Sequence, residues 1–184
     1  MNQLQHKKSP EATDEMWSLE NGPNSLVNTY SGCIWNCILF HARDRDNRRK
    51  TQNSGLVVQR DHEGQFIKFY GYICKVWEMT YLFRHRVVLF LCEWYNIGSN
   101  RTLCVEPHFT TIDMRTRWYK DNSFVSPSQV QQVFYVHDTK LGANWRVEEK
   151  FQHRRIWDVP ETDYVFQQDE STDVVPTEAM NDDV

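Results

Sequence analysis

Three side chains that can bind metals, Cys33, Cys37 and His41, follow one another at intervals of four residues, and Cys104 and His108 repeat the interval. On a strand, four residues span about 13 Å, which is too far for two of them to share one zinc ion. On a helix the interval would suit zinc, yet the chain has no CxxC pair. Buried thiols are the commoner explanation, and we expect no metal site and no bound cofactor.

Nucleophilic catalysis would need a thiol or hydroxyl, a base and an orienting group in contact. Cys74 or Cys92 could be combined with His41, His85 or His108, but any chain with five cysteines and seven histidines allows such a combination. The sequence contains neither a nucleophile elbow nor a glycine-rich phosphate loop. We therefore expect a protein that is not an enzyme.

Basic residues are concentrated in two stretches. Residues 43–50 carry five bases and two acids, and residues 115–120 carry three bases beside two aromatic residues. Arg and Lys neutralise phosphates, and aromatic rings stack on unpaired bases. A solvated surface is the common alternative for such charge runs. We expect one weak, sequence-tolerant DNA-contact surface, made of Arg43, Arg45, Arg48, Arg49, Lys50, Arg115, Arg117 and Lys120.

A second hypothesis is a protein-interaction module. Trp77, Trp118 and Tyr135 could line an aromatic cage for a cationic ligand such as a chromatin peptide. Core packing is the alternative role for these rings. A salt series separates the two hypotheses, because phosphate binding weakens steeply with salt and cage binding changes less.

Charge is distributed unevenly along the 184 residues, whose net charge is −4. Residues 159–184 hold eight acids and no base, whereas 27–158 hold nineteen bases and thirteen acids. We expect a mobile N-terminal segment over 1–26, a folded domain over 27–159 and a disordered acidic tail over 160–184.

The apolar runs and the cysteines of the sequence indicate whether the protein is secreted or associated with a membrane. The longest apolar run, 87–92, is far shorter than the ~20 residues that cross a bilayer. The first ten residues lack the apolar stretch of a signal peptide, and five cysteines are an odd number for a secreted protein. We expect no membrane association and no secretion.

The elements that must position these residues are predicted to be strands. Strand-like runs of β-branched and aromatic residues cover 55–60, 66–79, 86–95, 103–105, 109–118, 133–136 and 145–148. Gly71 could mark a bulge, and Ser126 could cap a helical turn over 129–132. Residues 30–40 are compatible with strand or helix. This pattern predicts an all-β domain, a small, partly open β-barrel with short helical turns.

Several long motifs carry a family resemblance. They are YSGCIWNCILFH at 30–41, DRD at 44–46, RKTQNSG at 49–55, YGYI at 70–73, VVLFLCEW at 87–94, FVSPSQVQQVFYV at 124–136, WRV at 145–147 and RIWDV at 155–159. In this order they resemble the plant domain of unknown function numbered four-two-one-six. That family is typically C-terminal to the transposase in En/Spm-like (CACTA) transposons and also occurs in stand-alone genes.

The resemblance covers about residues 27–159. It implies a plant transposon-derived protein in a nuclear setting, with the cytoplasm as the alternative, and it implies no activity. We therefore expect a non-catalytic accessory module with weak DNA contact. The alternative is an interaction module that binds a transposase partner or a chromatin peptide through an aromatic-lined barrel. The residues leave the oligomeric state open.

Overall fold

The computed structural model describes residues 14–62, 64–99, 101–118, 123–150, 165–167 and 174–176. Its helices are α1 (Asp14–Glu20) and α2 (Arg43–Asp46), with 3-10 turns at Leu82–Arg84 and Pro127–Gln129. The strands are β1 (Leu26–Tyr30), β2 (Gly32–Trp35), β3 (Ile38–His41), β4 (Gly55–His62), β5 (Gln65–Thr80), β6 (Arg86–Trp94), β7 (Leu103–Val105), β8 (Thr110–Asp113), β9 (Ser123–Val125), β10 (Val130–His137), β11 (Trp145–Lys150), β12 (Val165–Gln167) and β13 (Val174–Pro176). Within this part of the chain, neither α-helix has the length and hydrophobicity that a bilayer crossing requires.

The sixteen-residue strand β5 organises the larger sheet. Along one edge it pairs first with β4 and then with β1, and along the other edge it pairs with β6. The path of the sheet runs β13-β1-β5-β4-β10-β11-β8-β7, with β6 and β9 branching from β5. The prediction of an all-β domain is confirmed, and the expected barrel is open because the sheets do not close on themselves.

A three-stranded sheet, β12-β2-β3, lies beside the first. Its hairpin turn holds Asn36 and Cys37, both at positive φ (46° and 61°), as two-residue hairpin turns require. The ambiguous segment 30–40 is therefore a strand hairpin. Cys33 is buried opposite Phe40 in this hairpin.

Two predicted local features are displaced. The bulge of β5 falls between Ile73 and Lys75 instead of at Gly71. Gly71 has a different role, since a Cβ there would lie 2.3 Å from the carbonyl oxygen of Glu93. The Ser126 cap forms, but its turn ends at Gln129. The chain then extends at once because β10 pairs with β4 from Val130 onward.

The predicted strand over 109–118 is shortened to β8. A side-chain oxygen of Asp113 accepts a hydrogen bond from the backbone N–H of Arg115 at 3.0 Å, which turns the chain directly after the strand. The predicted strand covered on both faces is β6, where Val88, Phe90 and Cys92 are buried and the alternate residues Leu89 and Leu91 are half-buried.

The ends of the chain contain more structure than predicted. Within 1–26 the helix α1 forms, and Ser18 Oγ donates to the carbonyl oxygen of Leu82 at 2.9 Å. Within 160–184, β12 pairs with β2 and β13 pairs with β1, so the prediction of disorder is wrong for these two segments. Each contains a pair of apolar residues that can extend an open sheet edge. The rest of both ends lies outside the described residues.

Candidate nucleic-acid interface

The first basic stretch begins in α2, between β3 and β4, and the buried Asp46 organises the loop that follows. Asp46 Oδ1 lies 3.0 Å from Nδ1 of His41, a residue that is itself 2% exposed. Asp46 Oδ2 accepts hydrogen bonds from the backbone N–H groups of Asn53 (2.6 Å) and Ser54 (2.7 Å). One carboxylate therefore closes the loop 47–54 onto the helix.

The same loop is also held by β10. Gln52 Oε1 accepts from the backbone N–H of Tyr135 at 2.6 Å, and Gln132 Nε2 donates to the carbonyl oxygen of Asn53 at 3.2 Å. The loop thus has defined contacts on both sides. Its basic side chains project from a fixed backbone.

The residues predicted in the first stretch point in different directions. Arg43 Nη1 donates to Glu93 Oε2 at 3.3 Å, and its guanidinium lies 4.7 Å from the centre of the Tyr72 ring. Arg45 is half-buried and donates to Ser31 Oγ at 2.8 Å. Three further side chains are exposed, and they belong to Arg48, Arg49 and Lys50.

Residues of the second stretch meet the first at Glu93. Arg117 Nη2 lies 3.1 Å from Glu93 Oε2, and its guanidinium lies 4.7 Å from the centre of the Tyr95 ring. Arg115 is instead paired with Asp113, whose carboxylate accepts from Arg115 Nε at 3.0 and 2.9 Å. Lys120 lies outside the described residues. The structure therefore joins Arg117 to the first stretch, while the charge of Arg115 is balanced locally.

Beneath the two arginines lies a tyrosine cluster made of Tyr72, Tyr95 and Tyr135. Tyr72 packs edge-on against Tyr95 at 5.7 Å and against Tyr135 at 4.9 Å. Tyr135 Oη has one proton to donate and lies 3.0 Å from the carbonyl oxygen of Leu56 and 3.1 Å from that of Gly71. Burial raises the pKa of all three phenols, so the cluster is neutral at physiological pH. The cluster thus forms a neutral aromatic floor under charged guanidinium groups.

Two depressions lie along the loop 47–54. The α2 cavity has a volume of about 230 Å³ and is lined by Arg43, Asp46, Asn47, Arg49, Lys50, Thr51, Gln52, Ser54 and Tyr72. The β10 groove has a volume of about 490 Å³ and is lined by Lys50, Thr51, Gln52, Asn53, Phe134, Tyr135 and Val136. Because the three residues 50–52 line both depressions, the two adjoin each other.

The three rings of the predicted aromatic cage are not brought together. Tyr135 belongs to the tyrosine cluster, Trp77 packs on Phe124 with ring centres 4.8 Å apart, and Trp118 contacts Phe69 at 5.5 Å. Trp77 lies five positions after Tyr72 in β5, about 16 Å along an extended strand. Trp77 and Tyr135 do not line one site because each ring packs in a different part of the core.

The spaced cysteines and histidines also have separate surroundings. Cys33 is buried in β2, Cys37 is exposed in the hairpin turn and His41 contacts Asp46. Among the described residues, no three His, Cys, Asp or Glu side chains are grouped so that they could hold a metal ion. Burial raises the pKa of Cys33 to about 12 and, with the nearby Glu93 charge, that of Cys74 to about 11. Both therefore remain protonated near neutral pH.

Sequence reasoning missed Glu93, Asp46, Ser54 and Tyr72 as parts of this surface. Glu93 carries one detectable signal, because it is the only acid in the apolar run 87–94. The others lie in ordinary polar or aromatic surroundings in the sequence, and only the fold brings them to the basic stretch.

Comparison with known proteins gives one family match. Residues 77–148 match the family model described as Domain of unknown function (DUF4216). The matched part includes Glu93, Tyr95, Arg117 and Tyr135, but α2 and its loop precede it. It supports the predicted resemblance to a domain of unknown function. Neither the curated proteins nor the solved structures give a match.

Proposed function

We propose that the protein is a non-catalytic accessory module, derived from a plant transposon and located in the nucleus, that contacts DNA weakly through one basic surface. The basic surface consists of Arg43, Arg48, Arg49, Lys50 and Arg117. The observation that carries the proposal is the shared contact of Arg43 and Arg117 with Glu93 Oε2. Two stretches far apart in the chain thereby present their charge together. The plant, transposon and nuclear parts rest on the sequence resemblance.

The electrostatics of this surface favour phosphate contact over base reading. Residues 43–50 carry five bases and two acids, and Asp46 directs its carboxylate oxygens at His41 and at the loop backbone. Arg49 and Lys50 are exposed and have no ion-pair partner among the described residues. Phosphate contacts alone usually support dissociation constants on the order of 10⁻⁴–10⁻⁶ M. We therefore expect weak, sequence-tolerant binding.

The acidic C-terminal segment is proposed to compete with DNA. Residues 159–184 carry eight acids, and β12 and β13 join this segment to the sheets of the body. Tethered carboxylates near a basic surface lower its attraction for phosphates. Deleting 177–184 removes three acids and leaves both strands in place. This deletion should tighten DNA binding.

The test is fluorescence anisotropy with labelled duplex DNA over a salt series, using the full chain. Replacing Arg48, Arg49 and Lys50 together by Glu should weaken binding, and each lost phosphate contact should reduce the slope of log K against log salt by about 0.9. The single reversal Arg49→Glu has a matched control in the exposed Arg60→Glu, which lies outside the surface. If the full chain and the 177–184 deletion both show no salt-dependent binding at low salt, the DNA proposal is wrong.

A protein-interaction role is the second candidate, and one surface feature favours it. Trp17 and Phe83 have ring centres 5.8 Å apart and remain 36% and 58% exposed, beside the exposed Met16 and Leu19. Neighbouring exposed apolar side chains are typical of protein contacts. Binding of a transposase partner or chromatin protein here should change little with salt. A pull-down with Phe83→Ser at high salt tests this candidate.

A further inference from the structure

We propose that the α2 cavity is a binding site for a phosphate monoester, which in nucleic acid is the phosphorylated end of a strand. This inference rests on the proposed contact between the basic surface and nucleic acid, and it names the group that the surface would bind most specifically. Free inorganic phosphate carries the same terminal oxygens, and the experiment distinguishes it from a strand end.

The first observation is Ser54, which lines the cavity and is 1% exposed. Its Oγ atom is buried and has no hydrogen-bond partner among the described residues. Its backbone groups are fully engaged, since the N–H donates to Asp46 Oδ2 at 2.7 Å and the carbonyl accepts from Ile73 at 3.0 Å. A buried hydroxyl without a partner is rare in folded proteins. Because Ser54 lines the cavity, rotation of its side chain would offer this hydroxyl to a ligand oxygen there.

The second observation is the charge of the walls. Arg43, Arg49 and Lys50 surround the same cavity, and Arg49 and Lys50 have no ion-pair partner in the described part of the chain. Hydrogen bonds from such cations to phosphate oxygens are shorter and stronger than neutral ones. Thr51 and Gln52 add further polar atoms. The donors suit a group with several anionic oxygens.

Among the described residues that line the cavity, Asp46 is the one acid, and its carboxylate is directed at donors of the protein. Asp46 has both carboxylate oxygens in hydrogen bonds, to His41 on one side and to the Asn53 and Ser54 N–H groups on the other. Three hydrogen bonds with the protein therefore engage its two oxygens. The groups that the cavity offers to an anion are therefore its cations and the Ser54 hydroxyl.

The small volume of the cavity and the number of donors around it favour a strand end over the middle of a strand. A volume of about 230 Å³ is smaller than the ~300–1,000 Å³ of pockets that enclose drug-sized ligands. A monoester has one attachment and three terminal oxygens, so it can accept more hydrogen bonds from these donors than a phosphodiester, which has two terminal oxygens and continues the chain on both sides. The adjoining β10 groove, with Phe134 and Val136, offers apolar surface to the sugar and base of the terminal nucleotide.

The experiment compares three labelled single strands of one sequence, phosphorylated at the 5′ end, at the 3′ end or at neither, with the full chain. We expect at least one phosphorylated strand to bind about tenfold more tightly than the hydroxyl-ended strand. Ser54→Ala should reduce this preference to about threefold or less. Ser25→Ala, an exposed serine away from the cavity, should preserve it. Arg49→Gln should reduce the preference, and Arg60→Gln should preserve it.

Inorganic phosphate, added at constant ionic strength, should raise the melting temperature of the wild-type chain more than that of the Ser54→Ala chain. If all three strands bind equally with a steep salt dependence, the cavity inference is overturned and the proposed DNA contact stands. If inorganic phosphate stabilises the chain through Ser54 while no strand binds, the cavity is supported with free phosphate as the source, and the duplex titration alone decides the proposed DNA contact. A phosphate preference that survives both Ser54→Ala and Arg49→Gln would also overturn the inference.

Discussion

Arg43 in α2 and Arg117 after β8 approach the same carboxylate oxygen, Glu93 Oε2, at 3.3 and 3.1 Å. Each guanidinium also lies 4.7 Å from the centre of a tyrosine ring, Tyr72 for Arg43 and Tyr95 for Arg117, and the two rings touch edge-on. The pair is therefore positioned by one acid and by a shared aromatic floor. Half-exposed ion pairs of this kind contribute little to stability, so their principal effect is on the charge of the surface.

Replacing Glu93 by Gln should tighten DNA binding. The substitution removes the negative charge between two arginines, so more of their charge is available to phosphates and the salt slope should steepen. The free energy of unfolding should change by no more than about 1 kcal/mol, because the Glu93 side chain is 47% exposed. Glu106→Gln, an exposed acid elsewhere, alters net charge equally and is the control for anisotropy titrations. Equal effects of both variants on DNA binding would show that the contact of Glu93 with the two arginines has no role beyond net charge.

Replacing Asp46 by Asn should destabilise the fold by about 2–4 kcal/mol. The carboxylate is buried and accepts from His41, Asn53 and Ser54, so its loss leaves donors in the interior without a charged acceptor. Asp44→Asn, on the exposed face of the same helix, should stay within about 0.5 kcal/mol. Urea denaturation of both variants measures the difference. Similar midpoints for Asp46→Asn and the parent would mean that the loop is held by other contacts.

Substitutions in β6 should differ according to which face they alter. Phe90→Ala should lower the free energy of unfolding by about 3–5 kcal/mol, because Phe90 is fully buried against Phe40 at 5.1 Å. Leu89→Ala should cost less, about 1–2 kcal/mol, since Leu89 is half-buried on the other face. Thermal or urea unfolding of the two variants distinguishes the faces. A larger effect at Leu89 would contradict this placement of the core.

Acid should weaken the fold partly through Asp113. The hydrogen bond from the Arg115 guanidinium lowers the pKa of Asp113 below its ordinary 3.8. This stabilisation is present above the unfolded pKa and is lost as pH falls below about 3.8, through the folded pKa. The free energy of unfolding of Asp113→Asn should therefore fall less steeply between pH 4 and 2 than that of the parent. Glu149→Gln, an exposed acid in β11, should follow the parent curve.

Patterns within single segments predict most of the fold. The runs at 55–60, 66–79, 86–95 and 145–148 are strands because alternating β-branched and aromatic residues suit a pleated, partly buried surface. Features that depend on partners distant in the chain are less predictable. The bulge near Cys74 and the strands β12 and β13 depend on register with β6, β2 and β1, which no local pattern contains.

The candidate surface is predictable only in its charge. The clusters of Arg and Lys are visible in the sequence. Arg43 and Arg117 lie together in the structure. That the two stretches bind DNA as one surface stays a prediction. That Arg115 is balanced by Asp113 and that Arg45 reaches Ser31 follow from the tertiary structure. The hydroxyl of Ser54 is significant because of its burial, which composition cannot indicate.

The continuous pairing of β4, β5 and β6 has a consequence for the order of folding. These three strands are consecutive in the chain and antiparallel, so their contacts close short loops and cost little chain entropy. The loop 47–54 instead depends on β10, which must return from a distant part of the chain before Tyr135 can donate to Gln52. We expect the three-stranded meander to gain protection first in pulse-labelling hydrogen exchange during refolding, and the amide of Tyr135, which donates to Gln52, to gain it later.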